Sequence, residues 1–394
     1  MKILMLTPYV PYPPSSGGQI RTLNLLKYLS KKNKITLVCL YKNEEEKKYV
    51  KNLYKYCKTI YPFKRPEQPW QLRIIIRTIF SNLPFLIVRN YSHQAKKIIE
   101  EILNKEKFDV IHAETFYVMP HIPPTKIPII LVEQTIEYRV YQHFVNKIFF
   151  ILRPFLYLDI LKLKFWERFY WKNAKIVAAV SETDEENIKN LEPGIKTVII
   201  PNAPGEEMIV KKIPKKNLKK PVLLFQGNFY WLQNLEAAEF LIKKIYPHLK
   251  KTIPRAKIVI SGQKASKIRA KKNIEIIDLK INQTQMVKKI YKKANLFIAP
   301  IFGPGGTRLK ILAAMAAGIP VISTKTGVTG LKVKDNVHVI LAENENDFVE
   351  KIKLIINDKD LYQKIQKNAY QLIKTQYNWP VIAKKLENIY KEMI

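Results

Sequence analysis

Cysteine, acidic side chains and long apolar runs are what this chain has least of. Only Cys39 and Cys57 occur in 394 residues, and neither has a metal-ligand or C-x-x-C spacing. That excludes a disulfide scaffold, a thiolate zinc site and thioredoxin-type redox chemistry, and it suits a reducing compartment. No uninterrupted apolar stretch reaches the ~18 residues of a membrane-spanning helix. The opening MKILMLTPYVPYPP meets prolines after a short apolar run, so no secretory signal is expected there and a cytoplasmic location is. Acidic residues number 33 against 68 basic ones, a formal net charge of +35. A field of that sign draws anionic partners such as nucleotide phosphates, anionic lipid or nucleic acid. The charge is spread along the chain without a nucleic-acid motif or interleaved stacking aromatics. Contact with nucleic acid would therefore be salt-sensitive and sequence-blind, and no specific nucleic-acid partner is expected.

What is present is enough apolar material, 47% of the chain, for two cores. KILMLT (2–7) reads as a buried parallel strand, PYVPYPPSSGG as a loop, residues 19–32 as a helix and KITLVCLY (34–41) as the next strand. Further buried strands are read at 108–114, 127–134, 174–181 and 196–202. The lysine-rich stretch 203–220 reads as a solvated linker. A second series follows at 221–228, 256–262, 274–278, 294–300 and 319–324, with helices between. The fold class is α/β, with two doubly wound Rossmann-like domains facing across a cleft. Their bounds are 1–203 and 221–376, with a linker at 204–220 and a terminal helix at 377–394.

Two glycine loops stand where open α/β sheets bind ligands, just past a strand's carboxyl end. Gly17 and Gly18 lead into a helix with Arg21 in its first turn. Gly305, Gly306 and Thr307 lead into RLKILAAMAAG, carrying Arg308 and Lys310. The free amides and positive end of such a helix hold anions, and glycine lets a phosphate approach the backbone. Arg308 adds a forked contact and Lys310 a point charge. On spacing alone both loops also fit plain turns with charged surface residues.

Several passages together resemble one family. TPYVPYPPSSGGQIRTLNLLKYLS, AVSETDEENI with VIIPNAP, GNFYWLQNLEAAEFL, GGTRLKILAAMAAGIPVIST and YNWPVIAKKLENIY are similar to the retaining, nucleotide-sugar-dependent glycosyltransferases of the GT-B fold, in the large family-four group. The resemblance spans nearly the whole chain. It implies transfer of a sugar from a nucleotide-diphosphate donor to an acceptor hydroxyl, with anomeric configuration kept and no metal cofactor required. The implied donor contacts are Gly17, Gly18, Gly227, Gly305, Gly306, Thr307, Arg308 and Lys310. The donor sits mainly in the second domain and the acceptor, a glycan or lipid-linked one, mainly in the first. Peripheral contact with the inner face of an anionic membrane is a further expectation.

The chain departs from that pattern in places. Ala313 stands where a ribose-binding glutamate is expected, and no acidic residue lies between Asp278 and Asp335 to replace it. In DVIHAE, alternation places His112 and Glu114 on one face of a strand, so one of them is a packing residue. Glu114 is the catalytic candidate, set to contact the sugar or acceptor hydroxyl, against the reading of a loop or cap carboxylate. Glu133 and Glu137 are weaker candidates. Gln233 and Asn234 occupy the region where some relatives carry a lysine–glycine pair. Asp358-Lys359-Asp360 has the spacing of a cation site but reads better as a helix cap. The aromatic and basic stretch 148–172 is expected to be a core helix pair broken at Pro154, ahead of a membrane-interface helix. Three other readings stay open: a GT-B epimerase or phosphorylase, a catalytically dead binding or assembly subunit, and charge-driven nucleic-acid binding.

Overall fold

The computed structural model describes residues 1–269, 273–303 and 308–394. The chain divides into two compact units, residues 1–201 with 379–394, and residues 202–378. The first is built on Lys2–Thr7 (β1), Lys34–Tyr41 (β2), Thr59–Lys64 (β3), Val110–Glu114 (β4), Ile129–Glu133 (β5), Ile176–Ala179 (β6) and Thr197–Ile199 (β7). They form a seven-stranded sheet in the order β3-β2-β1-β4-β5-β6-β7, parallel throughout. β1 shows why: its residues 3–7 are buried, as a strand covered on both faces requires. Ile3 pairs with Ile35 on one side and Val110 on the other.

The second unit holds Val222–Gln226 (β8), Lys257–Gly262 (β9), Ile274–Asp278 (β10), Leu296–Ala299 (β11), Val321–Ser323 (β12) and Ile340–Leu341 (β13). Their order is β10-β9-β8-β11-β12-β13, again parallel. The two Rossmann-like sheets agree with the fold class expected from sequence. In each, chain order reverses between two central strands: β1 and β4 in one, β8 and β11 in the other. Ligands bind beyond the carboxyl ends of such strands.

Two strands lie outside the sequence-based expectation. β3 is an edge strand carrying Pro62 and ending in Lys64, which obscures its apolar pattern. β13 is two residues long. The stretch expected to be a linker runs along the second unit: the Val210 amide donates to Ala316 O at 3.1 Å, and Gln366 donates to Pro214 O at 3.1 Å. The terminal helix Trp379–Met393 packs in the first unit, where Asn33 donates to Glu387 at 3.4 Å. Asp358 accepts from the Leu361 amide at 2.8 Å and caps the helix Lys359–Gln376, as the sequence suggests.

The stretch 148–172 requires a correction. It is not a core helix pair broken at Pro154. A short 3₁₀ turn, Phe150–Leu152, leads into one helix, Arg153–Asn173. Pro154 falls in its first turn, where a missing N–H costs nothing. Ile160, Leu163, Glu167 and Trp171 face the core, while Phe155, Leu158, Leu161, Phe165 and Phe169 face outward.

Candidate functional site

In the first unit, the loop after β1 ends at Ser16, which caps the helix Gly17–Leu29 by accepting from the Gln19 amide. Gly17 and Gly18 are thus the helix's first turn rather than the loop before it. A Cβ on Gly18 would come within 2.5 Å of the Tyr9 hydroxyl and 2.9 Å of the Gln134 carbonyl oxygen, so a larger residue there must displace one of those side chains. Arg21, one turn on, is fully buried. Its Nε lies 3.4 Å from Glu114 Oε1, and Nη1 donates to the carbonyls of Ile200 and Pro201 at 3.0 and 3.3 Å.

Glu114 ends β4 and is also fully buried. His112 Nε2 lies 3.0 Å from its Oε1, and Gln134 donates to its Oε2 at 2.5 Å. A carboxylate only accepts, so Nε2 carries a proton, and Nδ1 pairs with the Tyr390 hydroxyl at 2.6 Å. Burial pushes the Glu114 carboxyl up. Arg21, then His112 and Gln134, outweigh burial and hold it below the usual range. Gln134 is half-buried and also donates to the Tyr9 hydroxyl at 2.9 Å, which places it as the outer member of the network. Thr115 follows Glu114 at φ +79, a strained conformation for a β-branched residue and one that gathers at functional sites. Sequence carries no signal for it.

Glu133 and Glu137 belong to a second buried group. Trp171 Nε1 donates to Glu133 at 2.8 Å, and Glu167 accepts from the amides of Glu137 and Tyr138 at 2.7 and 3.1 Å. Burial, then mutual repulsion, raises Glu133 and Glu167 well above the ordinary carboxylate range, and burial brings Glu137 to about 7. Glu167 is invisible to sequence reasoning, because only the fold brings it to the end of β5. Among the described residues no group of three or more His, Cys, Asp or Glu is arranged to hold a metal ion.

In the second unit, Gly227 follows β8, its amide donating to Ser261 O at 3.0 Å. The chain crosses closely there. A Cβ on Gly262, at φ +146, would fall 1.7 Å from Gly227 O. Gly305, Gly306 and Thr307 lie outside the described residues. Arg308 stands at the N-cap of the helix Leu309–Ala316, its Nη2 donating to Gly303 O at 2.7 Å. Lys310, in the first turn of that helix, is half-buried, with its ammonium on Asn234 Oδ1 and 5.1 Å over the Phe225 ring. Burial first, then the neighbouring Arg308 charge, lowers Lys310 to about 7. Asn234 also donates to Asn228 O at 2.7 Å, which fixes its amide so that the oxygen meets the lysine. Sequence places Asn234 in the right region without giving it this role. Ala313, one turn beyond Lys310, offers only a methyl. The arrangement is a cation held by a neutral amide at the switch point of a parallel sheet, a geometry that favours an incoming anion.

Comparisons with known proteins bear on the family and the fold. The profile described as "Glycosyltransferase Family 4" matches residues 15–203, and that described as "Glycosyl transferases group 1" matches 220–358. A 44.6 kDa protein of the cps region of Klebsiella pneumoniae is 24% identical over 409 residues, covering 99% of each chain. Sucrose-phosphate synthase from Thermosynechococcus elongatus superposes with a TM-score of 0.71 at 14% identity, over 100% of this chain and 98% of that one. Anabaena HepE, solved with UDP, superposes with a TM-score of 0.64 at 13% identity, over 100% of both. At such identities the two structures speak to the fold alone.

Proposed function

The chain belongs to the group 1, family 4 glycosyltransferases, and on that premise we propose that it moves a sugar from a nucleoside-diphosphate donor to a hydroxyl of a glycan or lipid-linked acceptor, in the making of a cell-envelope polysaccharide, with anomeric configuration retained. The observation that carries the donor side is Lys310: a half-buried ammonium with a neutral amide for a partner and a second cation beside it. A diphosphate placed there relieves that repulsion. As the sugar–oxygen bond breaks, its electron pair goes to the diphosphate, and Lys310, Arg308 and the amides of Gly305, Gly306 and Thr307 stabilise the growing charge. No metal enters this reading. The relative in the cps region supports an envelope polysaccharide as the product.

On the acceptor side, Glu114 acts from within the fold. It holds Gln134 and, through it, the Tyr9 hydroxyl in place for a sugar or acceptor hydroxyl. Peripheral contact with an anionic membrane belongs to the same reading. Ala313 favours a second one, in which the chain binds nucleotide without turning it over and serves as a binding subunit. The test is incubation with a panel of nucleotide sugars and an extract of envelope lipids and glycans, following released nucleoside diphosphate and the anomeric proton of the product. Acceptor-dependent release with an unchanged anomer supports transfer. Nucleotide binding with no release supports the subunit reading, and an acceptor-independent change in the sugar would mark an epimerase.

A further inference from the structure

The outward face of the first unit carries an apolar surface that no packing within the unit explains. In the helix Leu72–Ile79, Ile74 and Thr78 are buried, whereas Leu72, Ile76 and Ile79 form a stripe on the opposite side, continued by Phe80 at its end. Leu72 is 71% exposed and Phe80 85%. The helix Arg153–Asn173 repeats the pattern at larger scale. Leu158, Leu161, Phe165 and Phe169 recur at helical spacing on the side away from its core residues, with Phe155 73% exposed before them. The two are tied together. Lys162 donates to the carbonyls of Thr78 and Ser81 at 2.8 and 2.7 Å, which bracket Ile79 and Phe80, and Trp166 donates to Asn82 O at 2.8 Å. Phe149 and Phe150, both exposed, lead into the second helix.

Charge says what covers this surface. Arg73 and Arg77 are exposed beside the first stripe. No acidic residue occurs between Glu67 and Glu100, nor between Glu137 and Asp159, while Arg73, Arg77, Arg89, Arg139, Lys147 and Arg153 fall in those two stretches. An apolar face with the exposed Arg73 and Arg77 beside it, on a chain of net charge +35, is complementary to an anionic lipid bilayer. No helix among the described residues is long and apolar enough to cross a membrane, so the contact is one of lying on the surface.

We propose that the face formed by residues 72–80 and the outer side of the helix Arg153–Asn173 docks on an anionic membrane, its aromatic and aliphatic side chains entering the interface and its arginines meeting the headgroups. This deepens the membrane contact of the proposed function by naming the surface, and it rests on that part of the reading. Lipid binding itself requires no sugar transfer.

The experiment is sedimentation of the full-length protein with phosphatidylcholine vesicles, with and without phosphatidylglycerol, at low and high salt. UDP binding and light scattering are recorded on the same samples. The variants are F80S/L161S/F165S, all at exposed positions, and R73Q/R77Q. Wild type is expected to partition onto the anionic vesicles only. The apolar triple is expected to lose at least ~30-fold in partition with its melting temperature and UDP binding intact. The arginine pair is expected to lose about 10–30-fold at low salt, with a weaker salt dependence. Partition of the triple variant equal to wild type would overturn the proposal in favour of general basic adhesion. Absence of partition together with a dimer that the triple variant dissolves would overturn it in favour of an interface between two copies. Failure to bind any of UDP, GDP, ADP and CDP, with partition intact, would count against the transferase reading and leave this surface standing.

Discussion

Arg21 and Lys310 occupy equivalent places in the two units, yet they meet opposite surroundings. Each lies near the start of a helix beyond a central strand at a sheet's switch point, Arg21 one turn into its helix and Lys310 in the first turn of its own. Arg21 is fully buried against the Glu114 carboxylate, inside a network that His112, Gln134 and Tyr390 complete. Lys310 rests on a neutral amide and an aromatic ring, with Arg308 beside it. The same local sequence logic, glycine then helix then cation, has produced a charge-balanced structural centre in one unit and a centre of excess positive charge in the other. A glycine loop and a cation therefore do not identify an anion site until the partner of the cation is known.

The largest expected effect breaks the first centre. Arg21→Met leaves Glu114 buried without its ion pair, which costs about 3–5 kcal/mol of stability in urea unfolding. Nucleoside-diphosphate affinity of the folded fraction is expected to stay at the wild-type value. Lys310→Ala reverses the outcome: calorimetry is expected to show a loss of about 1.5–3 kcal/mol in diphosphate binding, with the melting temperature held or raised.

A pH titration sharpens the contrast. Lys310 is charged below about 7 in the ligand-free protein and loses its proton above that. An anion favours the charged form, so affinity is full below that pH and falls as pH rises, by up to about tenfold per unit. Lys310→Arg, which stays charged, is expected to flatten the profile. The buried glutamates titrate with the opposite consequence to Glu114. Glu133, Glu137 and Glu167 keep protons in the fold that the unfolded chain releases near 4.5, so stability falls as pH rises from there to about 7, the value of Glu137. Glu114, held below its ordinary value, contributes stability that is lost only as pH falls. Glu133→Gln is expected to raise the melting temperature by a few degrees at pH 8, at about 2–4 °C per kcal/mol, and to change little at pH 4. Gly18→Ala is expected to cost about 1–3 kcal/mol, since Tyr9 or Gln134 must shift to admit the methyl.

Buried parallel strands are readable from sequence because a continuous apolar run, bounded by turn residues and too short for a helix, fits little else: β1, β2 and β10 fall at their expected bounds. The Arg153–Asn173 helix defeats the same reading for a physical reason. A helix apolar on two opposite sides has no single polar face, so its pattern points in no direction. Only the exposed positions of Phe155 and Phe165 reveal the second stripe. The positions of Arg308 and Lys310 at a helix start are legible, because the loop and helix are contiguous in sequence. Arg21's partner is not, because Glu114 lies 93 residues away along the chain and reaches it only through strand pairing. The roles of Asn234 and Glu167 are hidden on the same ground.

The donor site is tested head-on by calorimetric titration of wild type and Lys310→Ala with UDP, GDP, ADP and CDP at two salt concentrations. One nucleotide is expected to bind in preference to the rest, and the variant is expected to lose that preference along with its affinity. Equal weak binding of all four, fading alike with salt in both proteins, would contradict a donor site built on Lys310.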